Sequence, residues 1–212
     1  HYIIFCTIRG QIKKTLLEAY SRPRQGGINS IEINEGDALI EAKLTNGNNE
    51  IILAVRSGRA IRFNEKDVRP MGRTAAGVRG IQVGNSGDEV VGMVCVDPND
   101  SSSTILVISD KGMGKRSALE DYPTQGRGGK GVKTMQVTNK TGHLVAIKSV
   151  TDTDDLMVTT TSGVTIRTAA SELRVMGRAT QGVKVIRLDD TDEIADVTVV
   201  AAATEEETGA EE

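Results

Sequence analysis

The chain repeats itself four times, and this repetition limits the folds that it can adopt. In each repeat a glycine follows a short apolar run, and the spacings between these glycines are 48, 54 and 51 residues: they are Gly10, Gly58, Gly112 and Gly163. A second glycine precedes a β-branched residue in every repeat: these are Gly27, Gly77, Gly131 and Gly182. A period near 50 residues is typical of arrays in which each copy packs on the next.

Each repeat predicts four short β-strands. An apolar strand precedes the first glycine, and a strand that carries a cation follows it. A third strand follows the second glycine, as in 81–83 and 186–188, and a fourth follows an acidic turn, as in 90–96. The chain is rich in glycine and has no Trp, which favours an all-β fold with many turns. We therefore predict an all-β, propeller-like array of four four-stranded blades, with repeats over about 1–49, 50–100, 101–150 and 151–200.

The charges are segregated in the same way in every repeat. The net charge is −3, but the windows 10–33, 58–83, 112–137 and 163–188 hold 20 of the 26 Lys and Arg residues and only 7 of the 29 Asp and Glu residues. Equivalent positions of a circular or spiral array face the same way, so these cations are expected to form a continuous band. A charge run is more often only a solvated face, but recurrence in the same phase four times favours a binding surface.

A continuous cationic band fits a phosphate backbone, and such binding falls with salt as counterions are released. No helix pattern suited to a major groove is present, and five Phe and Tyr residues cannot form a stacking platform for single strands. The predicted partner is therefore double-stranded DNA, held by its backbone and bent along a curved surface.

The candidate DNA-binding residues are the cations at recurring positions of the repeats. They are Lys14, Arg62, Arg73, Arg79, Arg116, Arg127, Lys130, Lys133, Arg167, Arg178 and Lys184. Each also has a structural interpretation, as a cation on a strand edge that prevents aggregation. Neither a catalytic constellation nor a metal or cofactor site is predicted from the sequence.

One loop is denser in glycine and cations than the rest of the chain. It reads Gln125, Gly126, Arg127, Gly128, Gly129, Lys130, Gly131. The loop formally matches the dinucleotide pattern GxGxxG, but a strand rather than a helix follows it, which argues against that function. It resembles the DNA-wrapping box of the DNA gyrase A subunit, Gln-Arg-Arg-Gly-Gly-Lys-Gly, with Gly126 in place of the first Arg. The segments 71–74, 77–80, 114–116, 176–178 and 181–183 are similar to later blades of the same domain.

This resemblance covers about residues 1–200 and implies a β-pinwheel, a propeller-like array with strand exchange between blades. The family's C-terminal domain usually has six blades, with its box in the first, and it wraps duplex DNA around a basic rim. The resemblance therefore implies a piece of a longer bacterial, cytoplasmic protein. Together with the rest of the gyrase A subunit, this piece would join the gyrase B subunit in an A2B2 enzyme. ATP and Mg²⁺ would act elsewhere in that enzyme, which introduces negative supercoils; no membrane association is expected.

Three alternatives remain open at this stage. The topoisomerase IV A subunit has a C-terminal domain of the same class, usually with fewer blades and a degraded box. A protein-binding propeller of the kelch type would require aromatic-rich loops, which five Phe and Tyr residues do not provide. An enzyme is the least favoured, because no acid–base pair or metal set is visible.

The last twelve residues, 201–212, hold five Glu residues and no cation. This composition predicts a disordered tail. Its carboxylates could compete with DNA for the cationic band, in which case removing 201–212 would tighten DNA binding at low salt.

Overall fold

A computed structural model describes residues 1–84 and 87–201 of the chain. The acidic tail predicted for 201–212 lies, apart from Ala201, outside the described residues. Fifteen β-strands make up the described fold. The first eight are β1 (Tyr2–Thr7), β2 (Gln11–Leu16), β3 (Leu39–Thr45), β4 (Glu50–Val55), β5 (Arg59–Asn64), β6 (Val78–Arg79), β7 (Val90–Val96) and β8 (Thr104–Ser109). The remaining seven are β9 (Met113–Ala118), β10 (Val132–Lys133), β11 (Leu144–Val150), β12 (Asp155–Thr160), β13 (Thr165–Ala169), β14 (Val183–Lys184) and β15 (Ile194–Val200).

A short 3₁₀ helix follows the second strand of every repeat: these are Leu17–Tyr20, Glu65–Asp67, Leu119–Asp121 and Ala170–Glu172. Within the described residues no helix is long and apolar enough to cross a membrane.

The strands form four antiparallel sheets, one for each repeat. Their orders are β3-β1-β2-β6, β7-β4-β5-β10, β11-β8-β9-β14 and β15-β12-β13. The predicted all-β array of four blades is confirmed. In the part of the chain that the structure describes, the first three sheets have four strands and the last has three.

The outermost strand of each four-stranded sheet comes from the following repeat. Val78 of β6 pairs with Ile12 of β2, Val132 of β10 pairs with Ala60 of β5, and Val183 of β14 pairs with Gly114 of β9. We call β6, β10 and β14 the exchange strands. The third strands predicted at 81–83 and 186–188 are therefore wrong by a few residues, because pairing begins directly after the second glycine and joins another repeat's sheet.

The core lies between adjacent sheets, and alternate residues of one strand supply two different cores. In β4, Ile51, Leu53 and Val55 pack with the first repeat, whereas Ile52 and Ala54 pack with the third. Since successive side chains of a strand point to opposite faces, a strand buried on both faces reads as a continuous apolar run. This explains why the first strands of the first three repeats lack alternation.

The fourth strands of the repeats, β3, β7, β11 and β15, are the innermost strands of the array. Consecutive members of this series pack against one another. Side chains from all four surround a cavity of about 310 Å³, which Lys43, Cys95, Lys148 and Thr198 help to line. The exchange strands and the loops before them consequently lie at the opposite, outer margin of the sheets.

Candidate nucleic-acid interface

The cation four residues after each first glycine lies inside the fold in the first three repeats. The Arg62 guanidinium contacts Glu50, and its Nη1 donates to the carbonyls of Leu119 (2.9 Å) and Tyr122 (3.0 Å) in the next repeat. Arg62 therefore joins two sheets, and its side chain is only 11% exposed.

Arg116 and Lys14 occupy the same position in their repeats and are both buried. Arg116 donates from Nε to the Leu173 carbonyl (2.8 Å) and from Nη1 to Asp152 (2.6 Å). Lys14 Nζ donates to the Glu65 carbonyl (3.0 Å) and lies 4.6 Å from the centre of the Tyr2 ring. The structure thus gives these three sequence-predicted cations contacts between repeats rather than a place on the surface.

Arg167, the fourth member of this series, differs from the other three. Its side chain is 47% exposed and pairs with Asp155, from Nε to Oδ2, at 2.8 Å. Arg167 is therefore a surface ion pair rather than a buried contact between repeats.

A second series of cations lies on the exchange strands, two residues after the second glycine. Arg79, Lys133 and Lys184 are all exposed. The preceding glycines hold them there: Gly77, Gly131 and Gly182 have φ between 77° and 94°. A Cβ at any of the three would collide with a main-chain carbonyl of the preceding repeat, that of Ile12, Ala60 or Gly114. Only glycine allows this combination of left-handed backbone and close approach.

A third series consists of arginines four residues before the second glycine: Arg73, Arg127 and Arg178. Arg127 Nη1 donates to the Arg79 carbonyl (3.1 Å), and its Nε donates to the Asp67 carbonyl (3.0 Å). Arg178 makes the equivalent contacts with the carbonyls of Lys133 and Asp121. Each of these two arginines therefore lies directly beside the exchange-strand cation of the preceding repeat.

These contacts place pairs of cations at successive junctions between repeats. Within residues 1–84 and 87–201, no candidate cation outside the first series forms an ion pair, and this includes both members of each of these pairs. We call this set the basic rim; it comprises Arg73, Arg79, Arg127, Lys130, Lys133, Arg178 and Lys184. All seven are exposed or half-exposed, so their charge is available to an external anion.

The glycine-rich loop 125–131 is fixed to the second repeat by its main chain. Gln125 N donates to the Arg62 carbonyl (2.7 Å), Gly128 N donates to the Gly80 carbonyl (2.7 Å), and the Gly129 carbonyl accepts from Gln82 N (2.8 Å). Gly128 and Gly131 have positive φ, and a Cβ at Gly126 would meet nothing within 4 Å. The loop thus presents Arg127 and Lys130 from a backbone that is already hydrogen-bonded.

Sequence reasoning missed two cations next to this loop. Arg56 and Arg59 line a cleft of about 570 Å³ together with Lys130 and His143. Arg59 Nη1 donates to the Gly131 carbonyl at 3.4 Å, and Arg56 Nη2 lies 3.3 Å from His143 Nδ1. Because a guanidinium only donates, Nδ1 accepts in this contact. The residues equivalent to Arg59 in the other repeats are Gln11, Met113 and Val164. Because none of them is a cation, the repeat pattern did not indicate Arg59 as a candidate.

The two thiols of the chain lie inside the fold, Cys6 buried and Cys95 half-buried. Burial raises the pKa of the Cys6 thiol and raises that of Cys95 to about 12, so both are held as thiols. In the part of the chain that the structure describes, no group of three or more His, Cys, Asp or Glu side chains is placed to hold a metal ion.

Fold and surface together define a β-pinwheel: an array of strand-exchanging sheets that presents exposed and half-exposed cations at the junctions of its repeats. The family described as DNA gyrase C-terminal domain, beta-propeller, matches residues 1–46, 49–97, 103–151 and 154–201. The chain belongs to this family.

Relatives of known identity agree with this assignment. The DNA gyrase A subunit of Staphylococcus aureus strain NCTC 8325 is 40% identical over 212 residues, which are 100% of this chain and 24% of that protein. The protein of strain MRSA252 is 40% identical over 207 residues, 98% of this chain and 23% of its own length. The chain thus spans about a quarter of the length of the curated relatives that it matches.

Two solved structures share the fold. The crystal structure of the C-terminal domain of DNA topoisomerase IV superposes with a TM-score of 0.87 at 25% identity and covers 95% of this chain and 62% of that one. The structure of the DNA gyrase A C-terminal domain superposes with a TM-score of 0.81, also at 25% identity, and covers 93% of this chain and 65% of that one.

Proposed function

We propose that this chain binds double-stranded DNA through the basic rim, without reading its sequence, and bends the duplex along the outer margin of the array. The observation that carries the proposal is the recurrence, at successive junctions, of cations that form no ion pair within the described residues, with Arg127 beside Arg79 and Arg178 beside Lys133. Phosphate contacts of this kind give affinity without sequence information. Smooth bending of a 20–30 bp site costs on the order of 1–6 kcal/mol, and cations spread over several repeats can offset it.

In this proposal the chain is the DNA-wrapping part of the DNA gyrase A subunit. It acts in the cytoplasm, within an A2B2 assembly that includes the gyrase B subunit, and supports ATP-dependent negative supercoiling. ATP and Mg²⁺ are used elsewhere in that assembly, and this part contributes binding rather than chemistry. The support is the family membership together with 40% identity to the gyrase A subunit over the whole chain.

Two other functions fit less well. The C-terminal domain of topoisomerase IV shares the fold, but the 40% identity is to the gyrase A subunit. A protein-binding propeller would present aromatic side chains in its loops. All five Phe and Tyr residues lie among the described residues, and each is buried or half-buried.

The test is binding to a duplex of about 40 bp across a salt series. Seven phosphate contacts would give a slope of log K against log salt of about −6, and Arg127→Ala/Lys130→Ala should reduce its size by about 2. The matched control is Lys43→Ala/Lys148→Ala, which removes the same charge from the central cavity and should leave the slope unchanged. Equal losses in the two double variants, or no binding by the parent chain at low salt, would contradict the proposal.

A further inference from the structure

Among the residues that the structure describes, two lysines are buried without a carboxylate partner. Lys13 and Lys115 follow the first glycine of their repeats by three residues and are both 0% exposed. No ion pair to either lysine occurs among the described residues. A buried ammonium must be satisfied by hydrogen bonds, so its acceptors indicate what it does.

Every acceptor of Lys115 lies in one loop of the following repeat. Its Nζ donates to the carbonyls of Gly177 (3.0 Å), Thr180 (2.9 Å) and Arg178, with the Thr180 hydroxyl at 3.3 Å. Three carbonyls match the three N–H donors of an ammonium. One side chain therefore fixes the main chain of the loop from Gly177 to Thr180.

The same arrangement occurs at the first junction. Lys13 Nζ donates to the carbonyl of Arg73 (2.7 Å) and to that of Ser30. Arg73 is the equivalent of Arg178, and its own Nη1 donates to the Asn29 carbonyl at 3.2 Å. In both repeats a buried lysine thus holds the main chain of a rim arginine, while the guanidinium of that arginine holds an adjacent segment.

The second junction provides the contrast. Ile61 takes the position of the lysine in the second repeat, as Ile166 does in the fourth. The loop packed there is the glycine-rich loop 125–131, which is held by main-chain hydrogen bonds to Gly80 and Gln82. The Gln82 contact recurs at both lysine junctions, as Glu32 N to the Ala75 carbonyl and Gln136 N to the Thr180 carbonyl (3.2 Å each). Among the described residues, a lysine is therefore present where the following loop has no counterpart of the Gly80 contact.

We propose that Lys115 is a positioning residue for the basic rim, which holds Arg178 and, through it, Lys133 in place for an anionic ligand. The path is continuous: Lys115 holds the Arg178 carbonyl, and the Arg178 guanidinium holds the carbonyls of Asp121 and Lys133. The ligand is the duplex phosphate backbone, so this inference rests on the proposed function. Lys115 itself, being buried, touches no ligand.

The main test is Lys115→Met, which removes the ammonium but keeps an unbranched apolar chain. Amide hydrogen exchange at Met176 and Thr180, whose N–H groups bond to the carbonyls of Arg116 and Gly177, should accelerate by roughly tenfold or more. Ile61→Met introduces the same residue at the equivalent position and should leave exchange at 176–180 unchanged. Unchanged exchange in Lys115→Met would overturn the positioning role, whether or not the chain binds DNA.

Binding to the 40 bp duplex adds a second, separate readout. Lys115→Met should reduce the salt slope by about 1 to 2, as expected when ordered contacts to phosphate are lost. Arg178→Ala/Lys133→Ala should abolish any further effect of Lys115→Met, because positioning acts only through those residues. The inference would be overturned if Lys115→Met lowered the salt slope equally with and without Arg178→Ala/Lys133→Ala. Faster exchange at 176–180 with an unchanged salt slope would overturn it as well. If Lys115→Met does not fold, Lys115→Ile, the residue of the second and fourth repeats, takes its place in every arm.

Discussion

At the scale of the residue, Gly27 and Gly131 show that a position can require glycine for two different reasons: a left-handed backbone, or a close approach to another part of the chain. Both have positive φ, 79° and 77°. A Cβ at Gly131 would collide with the Ala60 carbonyl, whereas a Cβ at Gly27 would meet nothing within 4 Å. The two glycines therefore share a backbone conformation, but only Gly131 lies in close contact with another repeat.

We expect Gly27→Ala to cost about 1 to 2 kcal/mol, the penalty of a left-handed alanine. Gly131→Ala should cost at least about 2 kcal/mol more, because the exchange strand β10 must move away from β5. Urea unfolding of the two variants measures the difference. Equal costs would show that the close approach at β10 adds nothing to stability.

The buried lysines give stability a pH dependence of unusual sign. Burial, with Arg178 nearby, lowers the pKa of Lys115 to about 8 from 10.5, and Asp121 acts weakly in the opposite direction. Burial, with Arg73 nearby, also lowers the pKa of Lys13 to about 8. Between the folded pKa of about 8 and the ordinary pKa of 10.5, the unfolded chain binds more protons than the folded chain. The free energy of unfolding therefore increases as the pH rises from about 8 towards 10.5.

Lys115→Met should remove the contribution of Lys115 to this rise of the unfolding free energy with pH. Urea unfolding at pH 7.5 and pH 9.5, values chosen on either side of the folded pKa, should therefore show a gap between parent and variant that changes with pH. Lys111→Met, at an exposed lysine of the adjacent turn, is the control. A gap that stays constant with pH would mean that Lys115 titrates alike in the folded and unfolded chains.

At the scale of the element, the sequence predicted the strands better than their partners. Glycine spacing and apolar runs located the first, second and fourth strands of each repeat because turn chemistry and burial are local properties. The exchange strands are two residues long and join another repeat's sheet. The sequence analysis placed third strands at 81–83 and 186–188, but Gly80 N and Ile81 N both donate to the single carbonyl of Gly10, which ends the ladder.

The cations equivalent to Arg62 and Arg167 show that the sequence also predicted the positions of side chains better than their contacts. Position within the repeat correctly identified them as equivalent, but it could not show that Arg62 has a following repeat to contact while Arg167 pairs with Asp155 at the surface. Recurring cations therefore indicated a shared structural position and did not by themselves separate contacts within the fold from exposed charge.

These two arginines provide a matched pair for measurement. Arg62→Gln leaves Glu50 buried without its cation and removes donors from two carbonyls, so we expect a loss of about 3 kcal/mol or more in unfolding free energy. Arg167→Gln removes an exposed pair and should cost less than about 1 kcal/mol. Similar losses in urea unfolding would contradict the assignment of Arg62 to a contact between repeats.

At the scale of the whole molecule, the segregation of charge was readable from the sequence because equivalent positions of an array face the same way. The windows with excess cations contain both the buried contacts between repeats and the basic rim, so the sequence overestimated the number of cations available to a ligand. The close neighbours of the glycine-rich loop, Arg56 and Arg59, come from the preceding repeat. Their proximity depends on how repeats stack, which no local pattern encodes.

Strand exchange also has a consequence for how such arrays can evolve. Each of the second, third and fourth repeats gives a strand to the repeat before it, and each of the first three accepts one from the repeat after it. A repeat copied by gene duplication would therefore meet a compatible acceptor on one side and a compatible donor on the other. The array can gain or lose whole repeats with its interfaces already in place, so the length of its outer margin can change faster than its architecture.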